Sequence, residues 1–400
     1  MKSITRAVWV LSIVSLLTDI SSEMLYPVMP VYLRHIGFSV VLIGLLEGFA
    51  EAAAGLSKGY FGKLSDHTGK RLPFVQAGYF FSAISKPMMV AFTYPWWVFS
   101  ARTLDRLGKG IRTGARDAIL SDESSPETKG KVFGFHRSMD TLGAVIGPAL
   151  ALLFLYWYPG NYKLLFLIAF LPGLLGVLAT FLVHPKHRRV QIQTQTPFSF
   201  FSFLRYWKES PPAYRHLLFG LLGFALINSS DVFLLLMMKN QGLSDTAVIG
   251  TYVFYNLIYA LTAFPAGIIA DKFGLKRTLI AGIFIFALVY FGMAFNTSPM
   301  GFYALFFLYG VYAACTEGIS KALISNIADK KDTATAIGTF TALGSLMTLL
   351  ASSLAGALWY EFGAQALFLF SGIGALIVLT YFVFTKFYPN ALSAYKPTQA

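Results

Sequence analysis

Residues 62–71 read GKLSDHTGKR, and residues 267–277 read GIIADKFGLKR. Each stretch lies between two long apolar segments, so each is a short polar loop between two hydrophobic helices. Glycine permits the positive φ angles of a tight turn, and the basic residues that follow favour the aqueous phase. Two copies of one loop, about half a chain apart, indicate an internal duplication.

Other landmarks repeat in the same register. ISSEMLYPVMP (20–30) resembles NSSDVFLLLMM (228–238), and ILSDESSPETKGKVFG (119–134) resembles NIADKKDTATAIG (326–338). Such duplication is typical of secondary transporters, whose two halves enclose a site near the middle of the membrane. We therefore divide the chain into an N-terminal six-helix bundle (1–183), a cytoplasmic linker (184–214) and a C-terminal six-helix bundle (215–400).

The composition is that of a protein with many membrane spans. Of 400 residues, 56% are hydrophobic and 13% are charged, whereas a soluble domain is about one quarter charged. The predicted fold class is an all-α membrane protein of twelve transmembrane helices in two pseudo-symmetric six-helix bundles. The spans are predicted at 7–33, 38–61, 72–93, 95–121, 132–156, 163–183, 215–238, 245–268, 278–296, 300–327, 334–358 and 365–386.

Basic residues concentrate in one set of loops. By the positive-inside rule these loops are cytoplasmic, so we expect a multi-pass protein of the cytoplasmic (inner) membrane with both termini in the cytoplasm. The net charge of +13 then reflects loop placement, and no nucleic-acid partner is expected. The set comprises Lys63, Lys70, Arg71, Lys129, Lys131, Lys272, Lys276, Arg277, Lys330 and Lys331.

The single cysteine, Cys315, excludes an intrachain disulfide and a cysteine-based metal site. We expect no metal and no cofactor, and a monomer in the lipid bilayer. In the linker, FSFFSFLRYW (198–207) has the aromatic residues and basic flank of a helix lying on the inner leaflet. A plain connecting segment explains the same residues equally well.

The loop at 62–71 resembles the signature loop of the major facilitator superfamily, although His67 stands where a basic residue is usual. In that family the loop helps to hold the two halves together in the outward-open state. The resemblance implies a gating role for Gly62, Asp66, Arg71 and, in the second copy, Asp271. Simple turn chemistry is the alternative explanation. The matching positions are Gly62, Leu64, Ser65, Asp66, Gly69, Lys70 and Arg71.

A second stretch, GAVIGPALA (143–151), is similar to a motif that the family carries in span five, commonly in proton-coupled exporters. Gly143, Gly147 and Pro148 match it, whereas Ala151 replaces the usual glycine. The resemblance implies a gating role for these three residues. Small residues also let two helices approach closely, so close packing alone is the competing explanation.

Span four is unusually rich in charge. Arg102, Asp105, Lys109, Arg112 and Arg116 are three or four residues apart, so they form one stripe along a helix. A charge at the membrane centre costs at least about 2.5–3.5 kcal/mol on insertion scales. The stripe must therefore face other helices or water rather than lipid.

Further charged and polar residues occur inside other spans. The family resemblance implies that spans one, four, seven and ten line the cavity, which matches this distribution. Lys58 lies in span two, and span five opens with His136, Arg137 and Asp140. As proton-coupling candidates we take Asp19, Glu23, Glu51 and Asp231. As substrate-binding candidates we take Tyr26, Arg102, Asp105, Lys109, Arg112, Asn228, Glu317 and Lys321.

Two explanations of these charges remain open. Intramembrane charges usually pair, and the acids and bases of the first half nearly balance, so they could form a neutralised structural network. Alternatively, some of them bind substrate or carry protons, because burial in the membrane favours the neutral form of a carboxyl group.

The function predicted from the sequence is secondary active transport of a small organic solute by alternating access. No Gly-Lys-Ser/Thr loop for nucleotide binding is present, so a proton gradient is the expected driving force. The resemblance to exporters favours proton-coupled export by antiport. Proton-coupled uptake or exchange of an anionic metabolite, bound by the basic stripe, is the alternative. No nucleophile–base spacing indicates an enzyme, and a non-transporting sensor on the same fold is also consistent with the sequence.

Overall fold

The computed structural model describes residues 4–26, 28–184 and 199–385. Every regular element within these ranges is a helix. The first half comprises α1 (Arg6–Glu23), α2 (Met29–His35), α3 (Val40–Thr68), α4 (Arg71–Ala91), α5 (Pro95–Asp122), α6 (Lys129–Trp157) and α7 (Tyr162–Thr180). The remaining helices are α8 (Tyr206–Glu209), α9 (Pro212–Ile227), α10 (Val232–Asn240), α11 (Asp245–Phe273), α12 (Leu275–Phe295), α13 (Pro299–Ile327) and α14 (Thr333–Phe384).

Spans one and seven are each divided into two helices. Span one is α1 followed by α2, and α2 has a proline in its first turn, where a missing N–H is tolerated. Span seven is α9 followed by α10, and the Ser352 hydroxyl accepts the backbone N–H of Ser230 between them at 3.2 Å. The breaks occupy corresponding places in the two halves, as the duplication predicts.

Spans eleven and twelve are both contained in α14. A straight helix of 52 residues would be about 78 Å long, far more than the hydrocarbon thickness of about 30 Å. Gly363 interrupts it with a φ of 84°, which side chains other than glycine rarely adopt. The chain therefore turns back into the membrane at Gly363.

Charged residues divide the helices into two groups. Seven segments of the described residues are long and apolar enough to cross a membrane by length and composition alone, and all lie at or after residue 126. The long helices before that point, α1, α3, α4 and α5, carry charged residues such as Asp19, Lys58, Lys86 and Arg116. The intramembrane charge of this protein is thus concentrated in its first half.

The two halves contact each other closely at one end, which carries Asp66, Lys131, Asp271 and Lys330 and is called the basic end below. There α3 packs against α14 and α6 packs against α11. A Cβ atom on Gly62 would lie 2.5 Å from the carbonyl oxygen of Ala334. These backbones are too close for any side chain, so glycine is required at the contact.

Part of the predicted linker lies outside the described residues, namely 185–198. The described part forms a 3₁₀ turn (Ser202–Arg205) followed by α8. The Phe203 ring is buried against Gly59 of α3, and the Lys63 ammonium donates to the Ser202 carbonyl oxygen at 2.8 Å. Phe201 and Leu204 remain exposed. An interfacial position of this segment remains a prediction.

Replacing Gly134 by alanine tests the close approach at the basic end. A Cβ there would lie 2.5 Å from the Ala263 carbonyl oxygen of the other half. We expect overpacking of about 1–3 kcal/mol to shift the protein towards a state open at the basic end. The measurement is the distance between spin labels at Lys70 and Lys331, with Cys315 replaced by serine.

The matched control is Gly250→Ala, because nothing lies within 4 Å of a Cβ at that helical position. It should leave the label distance unchanged and stabilise α11 by about 0.5–1 kcal/mol. Equal distances in Gly134→Ala and the control would contradict the role of this contact.

Candidate transport site

Helices of both halves enclose a central cavity of about 310 Å³. Its charged residues come mainly from the first half and its apolar residues from the second. The first half contributes Asp19, Lys58, Lys109, Arg112, Thr113, Arg116, Arg137 and Asp140. The second half contributes Leu221, Phe224, Ala225, Asn228, Tyr312, Thr316, Glu317, Ser320, Lys321, Phe340, Thr341, Gly344 and Thr348.

Three of the cavity cations are held by carboxylates. Arg137 donates to Asp140 at 2.7 Å and lies 2.9 Å from Glu317 of the other half. Arg116 lies 2.9 Å from Asp117, and the second oxygen of Asp117 lies 2.8 Å from the Lys321 ammonium. Glu317 and Lys321 are one turn apart on α13, so two ion pairs join the halves next to the cavity.

The other three cavity cations, Lys58, Lys109 and Arg112, form no ion pair with a carboxylate within the described part of the chain. Arg112 donates to the Ser82 hydroxyl at 2.7 Å and lies over the Tyr79 ring, 4.6 Å from its centroid. These contacts hold the guanidinium in place without neutralising it.

The opposite wall of the cavity is largely apolar. Leu221 and Phe224 of α9 and Phe340 of α14 supply most of it. Asn228, just after α9, donates to the Tyr312 hydroxyl at 2.9 Å, while its own side-chain oxygen has no partner in the described structure. The cavity thus has one strongly basic wall and one apolar wall with few polar groups.

The structure brings five of the eight substrate-binding candidates to this cavity, namely Lys109, Arg112, Asn228, Glu317 and Lys321. Arg102 and Asp105 line a separate small pocket, where Asp105 accepts from the Lys86 ammonium at 2.7 Å and lies 3.4 Å from Arg102. Tyr26 is 53% exposed and does not line the cavity.

The proton-coupling candidates occupy different environments. Asp19 lines the cavity, and its carboxyl group lies close enough to that of Asp140 to hydrogen-bond with it. Glu23 lies one turn further along α1 and is not among the cavity residues. Glu51 is largely exposed, 3.8 Å from the Arg106 guanidinium. Asp231 accepts from the Tyr309 and Tyr255 hydroxyl groups at 2.6 and 3.2 Å.

Lys58, Arg116, Arg137 and Asp140 line the cavity but were not among the sequence candidates for the site. Arg137 and Asp140 are three residues apart and therefore share one face of α6, which was a usable signal. Lys58 follows Glu51 by seven residues and therefore lies on the same face of α3, which was also a usable signal.

The signature loop of the first half contacts the second half. The Asp66 carboxylate accepts the backbone N–H and the hydroxyl group of Thr335 at 2.7 and 2.9 Å, at the first turn of α14. Arg71 donates to Asp66 at 3.0 Å and to the Lys330 carbonyl oxygen at 3.3 Å. A carboxylate is favoured at a helix N-terminus, where the helix dipole is positive.

Asp66 lies beyond span two, and burial raises the pKa of its carboxyl group to about 6, although Arg71 and Thr335 favour the charged form. At neutral pH most molecules therefore carry an ionised Asp66 in this contact, which is called the latch below together with the corresponding contact of Asp271. Asp271 makes the corresponding contact in the second loop. It accepts the backbone N–H groups of Gly130 and Lys131, both at 2.7 Å, in the first turn of α6.

The span-five glycines pack against another helix of their own half and not against the second half. A Cβ on Gly143 would lie 2.8 Å from the Leu16 carbonyl oxygen, and one on Gly147 would lie 2.7 Å from the Met24 nitrogen. Both glycines therefore bring α6 against α1 and the start of its break. Pro148 is buried in α6 next to them. A gating role for these residues remains a prediction.

A helical membrane protein with two halves around a central cavity, joined at one end by reciprocal acid–helix contacts, has the architecture of a secondary transporter. The family model "Major Facilitator Superfamily" matches residues 11–254 and 231–398. The chain belongs to this superfamily and has its twelve transmembrane helices in two bundles, which confirms the predicted fold class. It is a membrane transporter rather than an enzyme.

Individual relatives and a solved structure are consistent with this family assignment. The chain is 32% identical to an uncharacterized MFS-type transporter of Methanocaldococcus jannaschii, over 94% of each chain. It is 24% identical to a multi-drug resistance efflux pump PmrA homolog of Lactococcus lactis, over 78% of each. The crystal structure of the transporter FucP in the outward conformation superposes with a TM-score of 0.77 at 12% identity, covering 96% of this chain and 99% of that one.

Replacing Asp66 or Asp271 by asparagine tests the latch at the basic end. Each variant removes a charge from a helix N-terminus, which is worth about 0.3–2 kcal/mol. We expect both to shift the protein towards the state open at the basic end, measured by the spin-label distance between Lys70 and Lys331. Asp329→Asn, an exposed acid at the same end, is the control. If the distribution of label distances is unchanged in both variants, Asp66 and Asp271 do not hold the two halves together.

Proposed function

We propose that this protein transports a small organic anion across the cytoplasmic membrane, using the central cavity as its binding site. The observation that carries the proposal is the presence of Lys58, Lys109 and Arg112 on one cavity wall without carboxylate partners in the described structure. Cations inside a membrane protein are expensive unless they are paired. A negatively charged substrate would supply the missing partner.

The opposite wall favours an anion with an apolar part. Phe224, Leu221 and Phe340 offer hydrophobic surface across the cavity from the cations. Ligand sites typically combine apolar walls with a few well-placed polar groups that fix orientation. A compact aromatic or aliphatic group bearing a carboxylate, sulfonate or phosphate would match both walls.

The places where the halves touch support alternating access. The glycine contacts and the Asp66 and Asp271 contacts all lie at the basic end. Opening this end requires those contacts, the two ion pairs beside the cavity and further hydrogen bonds between the halves, such as that of Asn326 to the Pro126 carbonyl oxygen, to break. Rocking of the halves about the central site is how transporters of this construction work.

For direction, the charge of the cavity favours proton-coupled uptake. A proton bound at Asp19 removes a negative charge from the cavity, so proton and anion favour each other's binding. Solutes that bind together are carried together, and an inward proton gradient then drives accumulation. Export is the second candidate. It is supported by relatives named as multidrug efflux or resistance proteins, such as the Lactococcus lactis homolog at 24% identity.

Thermal unfolding of the purified protein tests the substrate class. The probe is benzenesulfonate, which stays anionic at all working pH values, with neutral benzenesulfonamide and cationic benzyltrimethylammonium as matched compounds. At a hundred-fold excess over its Kd, a ligand stabilises the folded state by about 2.7 kcal/mol. We expect stabilisation by the sulfonate alone.

Lys109→Gln and Arg112→Gln should each weaken this binding about ten- to hundred-fold, because a charge-assisted contact contributes about 1.5–3 kcal/mol. Lys163→Gln, an exposed lysine at the start of α7, should bind normally. Stabilisation by the cation and not by the sulfonate would overturn the anion proposal and favour an exporter of cations.

Flux in proteoliposomes tests coupling and direction. With an acidic exterior and a pH-sensitive dye inside, we expect benzenesulfonate to enter with protons and to acidify the lumen. Asp19→Asn should abolish gradient-driven accumulation while the protein remains folded, as checked by its melting temperature. An alkaline shift of the lumen during entry would indicate antiport, and unchanged accumulation in Asp19→Asn would contradict a coupling role for this residue.

A further inference from the structure

A pair of carboxyl groups lies at the edge of the cavity, one from α1 and one from α6. The two helices are so close that a Cβ on Gly143 would lie 2.8 Å from the Asp19 Cβ. Asp140 precedes Gly143 by one turn of α6, and it accepts from the hydroxyl group of Ser15, which lies one turn before Asp19 on α1. The carboxyl groups of Asp19 and Asp140 therefore lie on the facing sides of the two helices. Both residues line the cavity.

The two members of the pair have very different partners. Asp140 accepts from the Ser15 hydroxyl at 2.5 Å and from Arg137 at 2.7 Å, with Arg116 3.9 Å away. Asp19 forms no ion pair and accepts no hydrogen bond from an N–H group among the residues that the structure describes. Asp140 is thus surrounded by donors, whereas Asp140 is the one neighbour in the described part of the chain with which Asp19 can share a hydrogen bond.

Two carboxyl groups can hydrogen-bond to each other only if one of them carries a proton, because an ionised carboxylate is purely an acceptor. Two adjacent carboxylates also repel when both are ionised, and a shared proton removes that repulsion. With Asp140 ionised between its arginines, Asp19 is the group that would hold the proton and donate it to Asp140.

The charges around the pair support this assignment. Three cations, Arg116, Arg137 and Lys321, meet three acids, Asp140, Asp117 and Glu317, so the ion pairs of this cluster leave no cation over for Asp19. The titratable and charged groups facing the pair are Glu23 of α1, Lys58 of α3, Lys109, Arg112, Arg116 and Asp117 of α5, His136 and Arg137 of α6, Tyr259 of α11, and Glu317 and Lys321 of α13.

We propose that Asp19 and Asp140 share one proton and together form the coupling site, which binds its proton together with an anion at Lys58, Lys109 and Arg112. The proposal rests on the anion transport proposed above and adds Asp140 as the partner that positions the proton. When the pair loses its proton, Asp19 becomes negatively charged in addition to Asp140. This second negative charge at the cavity wall repels the anion. Proton release and anion release are thereby linked.

The proton itself can be detected without any substrate. Infrared spectra of the reconstituted full-length protein at neutral pH should contain the stretching band of a protonated carboxyl group. We expect Asp19→Asn to remove this band, since the remaining Asp140 carboxylate is ionised beside Arg116 and Arg137. Asp140→Asn should shift the frequency of the band, because Asp19 then loses the carboxylate that accepts its proton. Glu361→Gln, an exposed acid far along α14, should retain the band. Persistence of the band in Asp19→Asn, or an unchanged frequency in Asp140→Asn, would overturn the shared proton.

The coupling is measured by binding of benzenesulfonate as a function of pH. In the wild type, the Kd should rise about ten-fold per pH unit above the pH at which the pair loses its proton. In Asp19→Asn the Kd should be independent of pH. In Asp140→Asn the pH at which the Kd begins to rise should shift, because Asp19 then titrates without its partner, whereas Glu361→Gln should follow the wild type. Should Asp140→Asn not fold, Asp19→Asn removes the other carboxyl group while leaving the arginine contacts of Asp140 intact.

The outcomes separate the two proposals. Binding that does not vary with pH in the wild type overturns the coupling and leaves the anion site standing. Absence of sulfonate binding at every pH overturns both the anion site and the coupling, while the infrared band still reports whether the carboxyl pair shares a proton. A structural role alone would change the melting temperature without moving either the band or the pH dependence.

Discussion

The structure of this protein depends on enclosing the charges of α5 inside the membrane. A charge that faces lipid has neither water nor a partner, and the free energy needed to place such charges in the membrane grows with each further charge. The charged face of α5 is therefore turned towards other helices, where Asp105 pairs with Lys86 of α4, Arg116 meets Asp140 of α6 and Asp117 pairs with Lys321 of α13. The cavity exists where this compensation is incomplete.

A second constraint is that the halves must separate as well as join. Contacts at the basic end include close approaches of glycines, the contacts of Asp66 and Asp271 with helix N-termini, and packing of Phe135 on Phe264. The polar contacts among them can exchange their partners for water, so they can break and re-form. The ion pairs of Arg137 and Lys321 to the opposite half have the same character.

The sequence located about half of the site. Residues on helices whose charges repeat at helical spacing, such as Lys109, Arg112, Glu317 and Lys321, were found because a charged face inside a span must point inwards. Arg102 and Asp105 follow the same spacing, yet Lys86 of α4 draws them into a separate pocket. That contact joins residues of two different helices, and no periodicity within one helix predicts it.

The sequence by itself determined the number of spans, the duplication, the signature loops and the helices that carry intramembrane charge, because hydropathy and spacing are local properties of the chain. Only the tertiary structure decided which charges are paired. A near balance of acids and bases in the sequence becomes six cations and three carboxylates on the cavity wall, since pairing depends on distances between helices. For the same reason the contact between Asp19 and Asp140 became visible only once α1 and α6 were packed together.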